Sequence, residues 1–369
     1  MAMPPRLKTR HFRQGQAINS YTGEKSPIIL VYFGLPQGII MIRFFLLLLS
    51  LLLMTVGTAD AADKKTAHHA PPPLQCVAFS PYVGTINPDY GPSPPKELID
   101  TLLDKIVKET PFRCIMTYGV LNGLDYTFTA AQARHLKVIA ILWLDKDSKV
   151  NSQSISTGIH LAKTFADTII KLSCGSEVRT RHGYQFDGEI SRCLQALREA
   201  KVTQPITTID TWWEWCNRSL HCEKTLFSDQ VDWIGINIFP WWENTFSPLH
   251  SCTPAGQAAD FHLARLHEVH TANPNKAVMI TEFGWPNGPA KAESVNVKTG
   301  QRCGVASAEN QALVVQSTFK KLAQEHLSGT VFEAFSENWK PSNEGDFGKY
   351  WGICQGEPPF ACSKKLAHP

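Results

Sequence analysis

The chain has 369 residues and a mass of 41.1 kDa, with 43% apolar and 19% charged residues, a balance that excludes a wholly disordered protein. Its net charge of +3 is unevenly placed: residues 1–61 hold six Lys/Arg against two acids, and the rest of the chain holds 30 against 31. The basic excess belongs to the leading segment, so it gives no ground for a nucleic-acid partner.

Residues 1–40 read as an upstream extension of the chain. Met41 and Arg43 then open a short basic stretch, residues 44–56 form an apolar run, and Ala59-Asp60-Ala61 has the small-residue pattern of a cleavage site. Together residues 41–61 read as a signal peptide. The alternative is a membrane anchor made by residues 39–56. All ten cysteines lie beyond this leader, which fits disulfides in an oxidising compartment and a secreted, periplasmic or cell-wall location. Cys216–Cys222 and Cys354–Cys362 are the expected local bridges; the other pairings are not legible from spacing. Residues 62–73, polar and then Pro-rich, read as an extended linker. From residue 74 to 369 no break is long enough to divide domains.

Within 74–369, short β-rich runs recur in chain order: Cys76–Val83, Cys114–Tyr118, Val138–Leu144, Ile169–Cys174, Ile206–Asp210, Trp233–Phe239, Ala277–Thr281 and Thr330–Phe335. Helical patterns fall between most of them, at Pro95–Lys108, Ala130–His135, Ile155–Ile170, Glu189–Ala200, Ala258–Ala272 and Ala306–Gln324. The alternation predicts an α/β fold, a single (β/α)8 TIM barrel with parallel strands. An open doubly wound sheet would carry a Gly-rich phosphate loop after its first strand, where this chain has Ser80-Pro81-Tyr82-Val83-Gly84. The 220s and residues 287–304 read as long loops. Asp145 and Asp147 could suggest a metal pair, but Lys146 between them and the polar run 148–154 read as a solvated loop.

Barrel enzymes carry their chemistry at the C-terminal ends of the strands. There the sequence sets Glu177 after strand four, Glu282 after strand seven and Glu337 after strand eight. Two carboxyls about 5 Å apart are what retaining glycoside hydrolysis requires. Most of the ten tryptophans also follow strands, and flat apolar faces with polar edges suit pyranose rings.

At these residues the chain resembles glycoside hydrolase family 17. Ile280-Thr281-Glu282-Phe283-Gly284-Trp285-Pro286 and Phe332-Glu333-Ala334-Phe335-Ser336-Glu337-Asn338-Trp339-Lys340 carry most of the likeness. The resemblance implies that Glu282 is the nucleophile and Glu177 the general acid/base, with Glu337 and Lys340 as a supporting pair near the acid. It implies action on β-1,3-glucan, by hydrolysis or by glycosyl transfer, without a metal or organic cofactor. The expected partner is a polysaccharide or oligosaccharide, and the expected state a monomer. Tyr82, Tyr118, Trp143, Asn237, Trp241, Trp242, Trp285 and Trp339 are the candidate substrate-binding residues. Two positions depart from the family pattern: Ser176 stands where Asn is usual before the acid, and Asn237 where relatives often carry His. They motivate an alternative, a carbohydrate-binding relative with weak or lost catalysis.

Overall fold

In the computed structural model, residues 73–246, 251–340 and 344–367 are described. The expected extension, signal peptide, anchor and nearly all of the linker lie outside them. No helix among the described residues is long and apolar enough to cross a membrane.

Eight parallel strands close into a barrel: β1 (Gln75–Phe79), β2 (Cys114–Thr117), β3 (Lys137–Leu142), β4 (Ile169–Ser176), β5 (Ile206–Thr211), β6 (Trp233–Asn237), β7 (Ala277–Phe283) and β10 (Gly329–Val331), the last returning to β1. Alternation along each strand divides the apolar residues into two layers. Cys76, Ala78, Cys114, Met116, Ile139, Ile141 and Trp233 form one buried cluster. Val77, Ile115, Val138, Ala140 and Ile234 belong to the larger one, which also takes in the helices. The principal outer helices are α1 (Lys96–Glu109), α2 (Tyr126–Ala133), α3 (Ser148–Thr164), α5 (Asp187–Glu199), α8 (Ala258–Ala272) and α9 (Ala308–Gln324). Shorter helices α4 (Val178–His182), α6 (Trp212–Trp215) and α7 (Pro240–Phe246) follow β4, β5 and β6 directly, and α10 (Lys364–Ala367) ends the described chain.

Two expectations are corrected. The polar run 148–154 is the beginning of α3, not a loop. The Asp147 side chain accepts from the amides of Lys149 and Val150, and the Asn151 side chain is locked to both backbone groups of Asp145 and to Glu189. N-capping and buried amide bonding thus outweigh the polar composition. Residues 287–304 are not irregular throughout: β8 (Glu293–Val295) and β9 (Arg302–Val305) pair as an antiparallel ribbon.

Five disulfides join Cys76–Cys114, Cys174–Cys193, Cys216–Cys222, Cys252–Cys303 and Cys354–Cys362, leaving no cysteine free. Both expected local bridges are among them. The first links residues paired directly across β1 and β2, and Cys252–Cys303 ties β9 to the segment preceding α8.

Candidate active site

Glu177 and Glu282 each leave the barrel beside a register shift. On β4, Ser173 pairs with Thr207 but Ser176 with Ile209, so one extra residue is accommodated at Cys174-Gly175. Gly175 takes φ +78°, and a Cβ there would collide with Val178. The bulge is stitched by Ser173, whose hydroxyl donates to the Gly175 carbonyl and accepts from the Ile209 amide, and by Thr208, which donates to the Cys174 carbonyl. Glu177 then adopts φ 54° and ψ 34°. On β7, Ile280 pairs with Ile236 but Glu282 with Asn237, again with one residue extra. Bulges re-aim side chains at sheet ends, and here each one precedes or contains a carboxylate.

The two acids meet at Asn237. Its Nδ2 donates to Glu177 Oε1 at 2.9 Å, its Oδ1 accepts from Thr281 Oγ1 at 2.8 Å, and it is the register partner of Glu282 across β6 and β7. Asn237 is 1% exposed, and through these bonds it orients the Glu177 carboxyl from β6. Tyr118 donates to Glu282 Oε1 at 2.9 Å.

Burial pushes the Glu177 carboxyl above its usual range, opposed by the Asn237 bond and the Arg181 charge and assisted by Glu214. Burial and the Glu177 charge push Glu282 up to about 8, against Tyr118, Lys340 and Asn237. At neutral pH the two carboxyls therefore hold a proton as a pair.

Lys340 is buried between two acids, 2.7 Å from Glu333 Oε1 and 3.3 Å from Glu337 Oε2. Ser80 donates to the other oxygen of Glu337. The Glu333 carboxyl is raised well above the usual range, by burial and then by Glu337, and its nearer position makes it the principal partner of Lys340. The sequence assigned it no role. Beyond Glu333, the Lys340 charge also favours the ionised form of Glu282. Glu344 is raised by burial, and Lys340, Glu337 and Glu177 act on its charge.

A cleft of about 360 Å³ opens beside Glu333, Glu337 and Lys340, walled by Tyr82, Tyr118, Trp143 and Trp339; Tyr118 joins it to Glu282. Four of the expected substrate-binding aromatics are thus on its wall. Trp143 is stacked by the Arg181 guanidinium at 4.1 Å. Arg181 also donates to the Ser176 carbonyl; Ser176 itself is buried. Trp241 and Trp285 are corrections. They are 1% and 0% exposed, meet edge-to-face at 5.2 Å, and Trp285 Nε1 donates to the Val305 carbonyl. Their faces are spent on packing loops over the barrel. Trp242 is half-buried and stacks on Trp351 at 6.2 Å.

Comparison with known proteins was made against this geometry. The BtgE/BtgC glycoside hydrolase domain matches residues 76–352. "Glucan 1,3-beta-glucosidase BGL2" of Candida albicans is 23% identical over 262 residues, which cover 66% of this chain and 79% of that protein. "Probable glucan endo-1,3-beta-glucosidase eglC" of Emericella nidulans is 30% identical over 220 residues, 54% of this chain but only 43% of that protein. Among solved structures, a glycoside hydrolase family 17 beta-1,3-glucanosyltransferase from Rhizomucor miehei superposes with a TM-score of 0.58 at 16% identity, covering 79% of this chain and 96% of that one. An endo-laminarinase from Formosa Hel1_33_131 gives 0.64 at 17% identity, with 77% and 83% covered. At such identities the solved structures speak to the fold alone.

Proposed function

The chain belongs to the BtgE/BtgC glycoside hydrolase family, within glycoside hydrolase family 17, and on that footing we propose that it is a retaining enzyme of β-1,3-glucan, with Glu282 as nucleophile and Glu177 as acid/base. The observation that carries the reading is the pair of buried, mutually interacting carboxyls at the strand ends, Glu177 held by Asn237 and Glu282 by Tyr118. The names of the fungal relatives support the glucan. Five disulfides support an oxidising compartment outside the cytosol.

In this reading a Glu282 oxygen forms a bond to the anomeric carbon while the bond from that carbon to the glycosidic oxygen breaks and takes the Glu177 proton. Glu177, now ionised, then removes a proton from water or from a sugar hydroxyl, whose oxygen displaces Glu282. Water gives hydrolysis, and a hydroxyl gives transfer. The first step needs the shared proton on Glu177 and the charge on Glu282. Positive charge developing on the anomeric carbon stabilises the adjacent Glu282 carboxylate and favours that arrangement. Tyr118 and Lys340 act in the same direction.

Laminarin incubated with the protein should yield shortened or rearranged glucan, and Glu282→Gln should abolish it. No product from the wild type, or undiminished product from the variant, overturns the reading. The alternative of a binding protein with weak catalysis is favoured by Ser176, whose hydroxyl is shorter than an amide. Ser176→Asn separates the two. A rise in turnover means a lost sugar contact has been restored; an unchanged or lower rate means this site already works without it.

A further inference from the structure

We infer that Asp210, near the end of β5, is a positioning residue for the acid/base carboxyl of Glu177. The inference rests on the reading of Glu177 given above. It begins from the backbone of Glu177, whose φ of 54° lies in the left-handed region that side-chain-bearing residues seldom occupy. Such a conformation persists only where the surroundings over-determine it.

The restraints come from β4 on one side and β5 on the other. Upstream, the bulge at Cys174-Gly175 fixes the strand end. At Glu177 itself, the amide donates to the Ile209 carbonyl at 2.9 Å. Downstream, the next residue of β5 takes over. Asp210 Oδ2 accepts from the Arg179 amide at 2.9 Å, and Oδ1 accepts from Thr180 Oγ1 at 2.6 Å and from the Thr211 amide at 2.9 Å. One buried carboxyl thereby pins the second and third residues after Glu177 to the neighbouring strand. Without it the turn keeps only the Glu177–Ile209 bond and the longer Thr180–Thr211 hydroxyl contact to β5.

The chemistry of the position argues against simple packing. Asp210 is 3% exposed, and no cation neutralises it at close range: the Arg179 guanidinium is committed to Asp187 at 2.7 and 2.8 Å. The charged groups facing it are Glu177 from the end of β4, Glu214 from α6, and the more distant Arg181 and Arg218. Burial, Glu177 and Glu214 push the Asp210 carboxyl up to about 7. An unneutralised acid beside two others is costly for stability, and what it supplies in return is two directed acceptor bonds to the Glu177 turn, steadied by a third to the Thr211 amide.

The test separates positioning from scaffolding by leaving group. A general acid matters when the departing oxygen is a sugar hydroxyl and hardly at all when it is an activated phenolate. kcat/KM is measured for a laminari-oligosaccharide and for a dinitrophenyl β-laminaribioside, with wild type, Glu177→Gln, Asp210→Asn and Thr180→Val. Glu177→Gln sets the reference, a loss of about 10²- to 10⁴-fold on the oligosaccharide with the aryl substrate nearly unaffected. Asp210→Asn keeps the shape but turns a donor toward a donor. It should lose about 10- to 100-fold on the oligosaccharide and little on the aryl glycoside. Thr180→Val, which removes one of the three bonds, should lose less in the same sense.

Equal losses on both substrates, or none, from a folded Asp210→Asn protein overturn the inference. If Asp210→Asn does not fold, Thr180→Val decides by the same criterion. A wild type inactive on both substrates overturns instead the reading of Glu177 and Glu282. An active wild type whose Glu177→Gln variant gives no leaving-group split overturns the acid assignment alone.

Discussion

Glu282 is an ionisable group whose proton affinity the fold raises, and this has a thermodynamic consequence independent of turnover. Burial and the Glu177 charge push its carboxyl from the ordinary 4.5 up to about 8 in the folded state. Below the unfolded value both states are protonated and the carboxyl adds nothing unfavourable. As pH rises from there towards 8, the unfolded chain ionises freely while the folded chain resists, so stability is lost across that window. Glu282→Gln removes the titration while leaving an oxygen to accept from Tyr118. Thermal melts of the two proteins should coincide near pH 4 and diverge towards pH 8, the variant being more stable by on the order of a few kcal/mol; a constant offset across this range would contradict the assignment. At this scale the sequence was partly legible. Glu177, Glu282 and Lys340 could be found because each sits in a motif at a strand end. Asp210 inside β5 and Glu333 just beyond β10 could not, because an acid there carries no signal of which way it points. The bonds of Asn237 to Glu177 and Thr281 were hidden as well, because only the folded barrel brings those residues to it. Trp241 and Trp285 were misread for a related reason: a tryptophan after a strand looks alike in sequence whether it faces a cleft or a loop.

The bulge at Cys174-Gly175 is the element on which the acid/base geometry turns. A substituent at Gly175 meets Val178 and forces a side-chain-bearing residue into φ +78°. Gly175→Ala should therefore cost roughly 2–5 kcal/mol, from the backbone penalty and the overpacking together, read as a lower urea midpoint. Because relief of the clash moves the start of α4, kcat/KM on glucan should fall as well; unchanged stability and activity would contradict this account. Strands and helices were legible from periodicity, and α8 has the predicted boundaries. The start of α3 was not, since its cap and its buried Asn151 are polar, and composition registers polarity but not what it bonds to. The β8–β9 ribbon was hidden too, its strands being only three and four residues long, too short to set up an alternation.

For the molecule as a whole, the barrel is closed by its own backbone pairing; Cys76–Cys114 reinforces it between β1 and β2, Cys174–Cys193 ties β4 to α5, and the other three disulfides act on what surrounds it. Cys252–Cys303 closes a separation of 51 residues, for which the chain-entropy argument gives about 4 kcal/mol. Replacing both cysteines by serine should lower the melting temperature by several degrees while far-ultraviolet circular dichroism stays barrel-like, because neither residue lies in a barrel strand. A collapse of the far-ultraviolet spectrum at ambient temperature would show that the barrel itself depends on the tether. The five bridges share a further property: each cysteine bonds the next one along the chain, so no bridge straddles another. A polypeptide threaded N-terminus first into an oxidising space delivers its thiols in that same order. Whenever one arrives without a mate, the next to emerge is the right one. Direction of entry alone then excludes every crossed linkage, whereas the same polypeptide released whole from denaturant must find its connectivity among all the wrong ones.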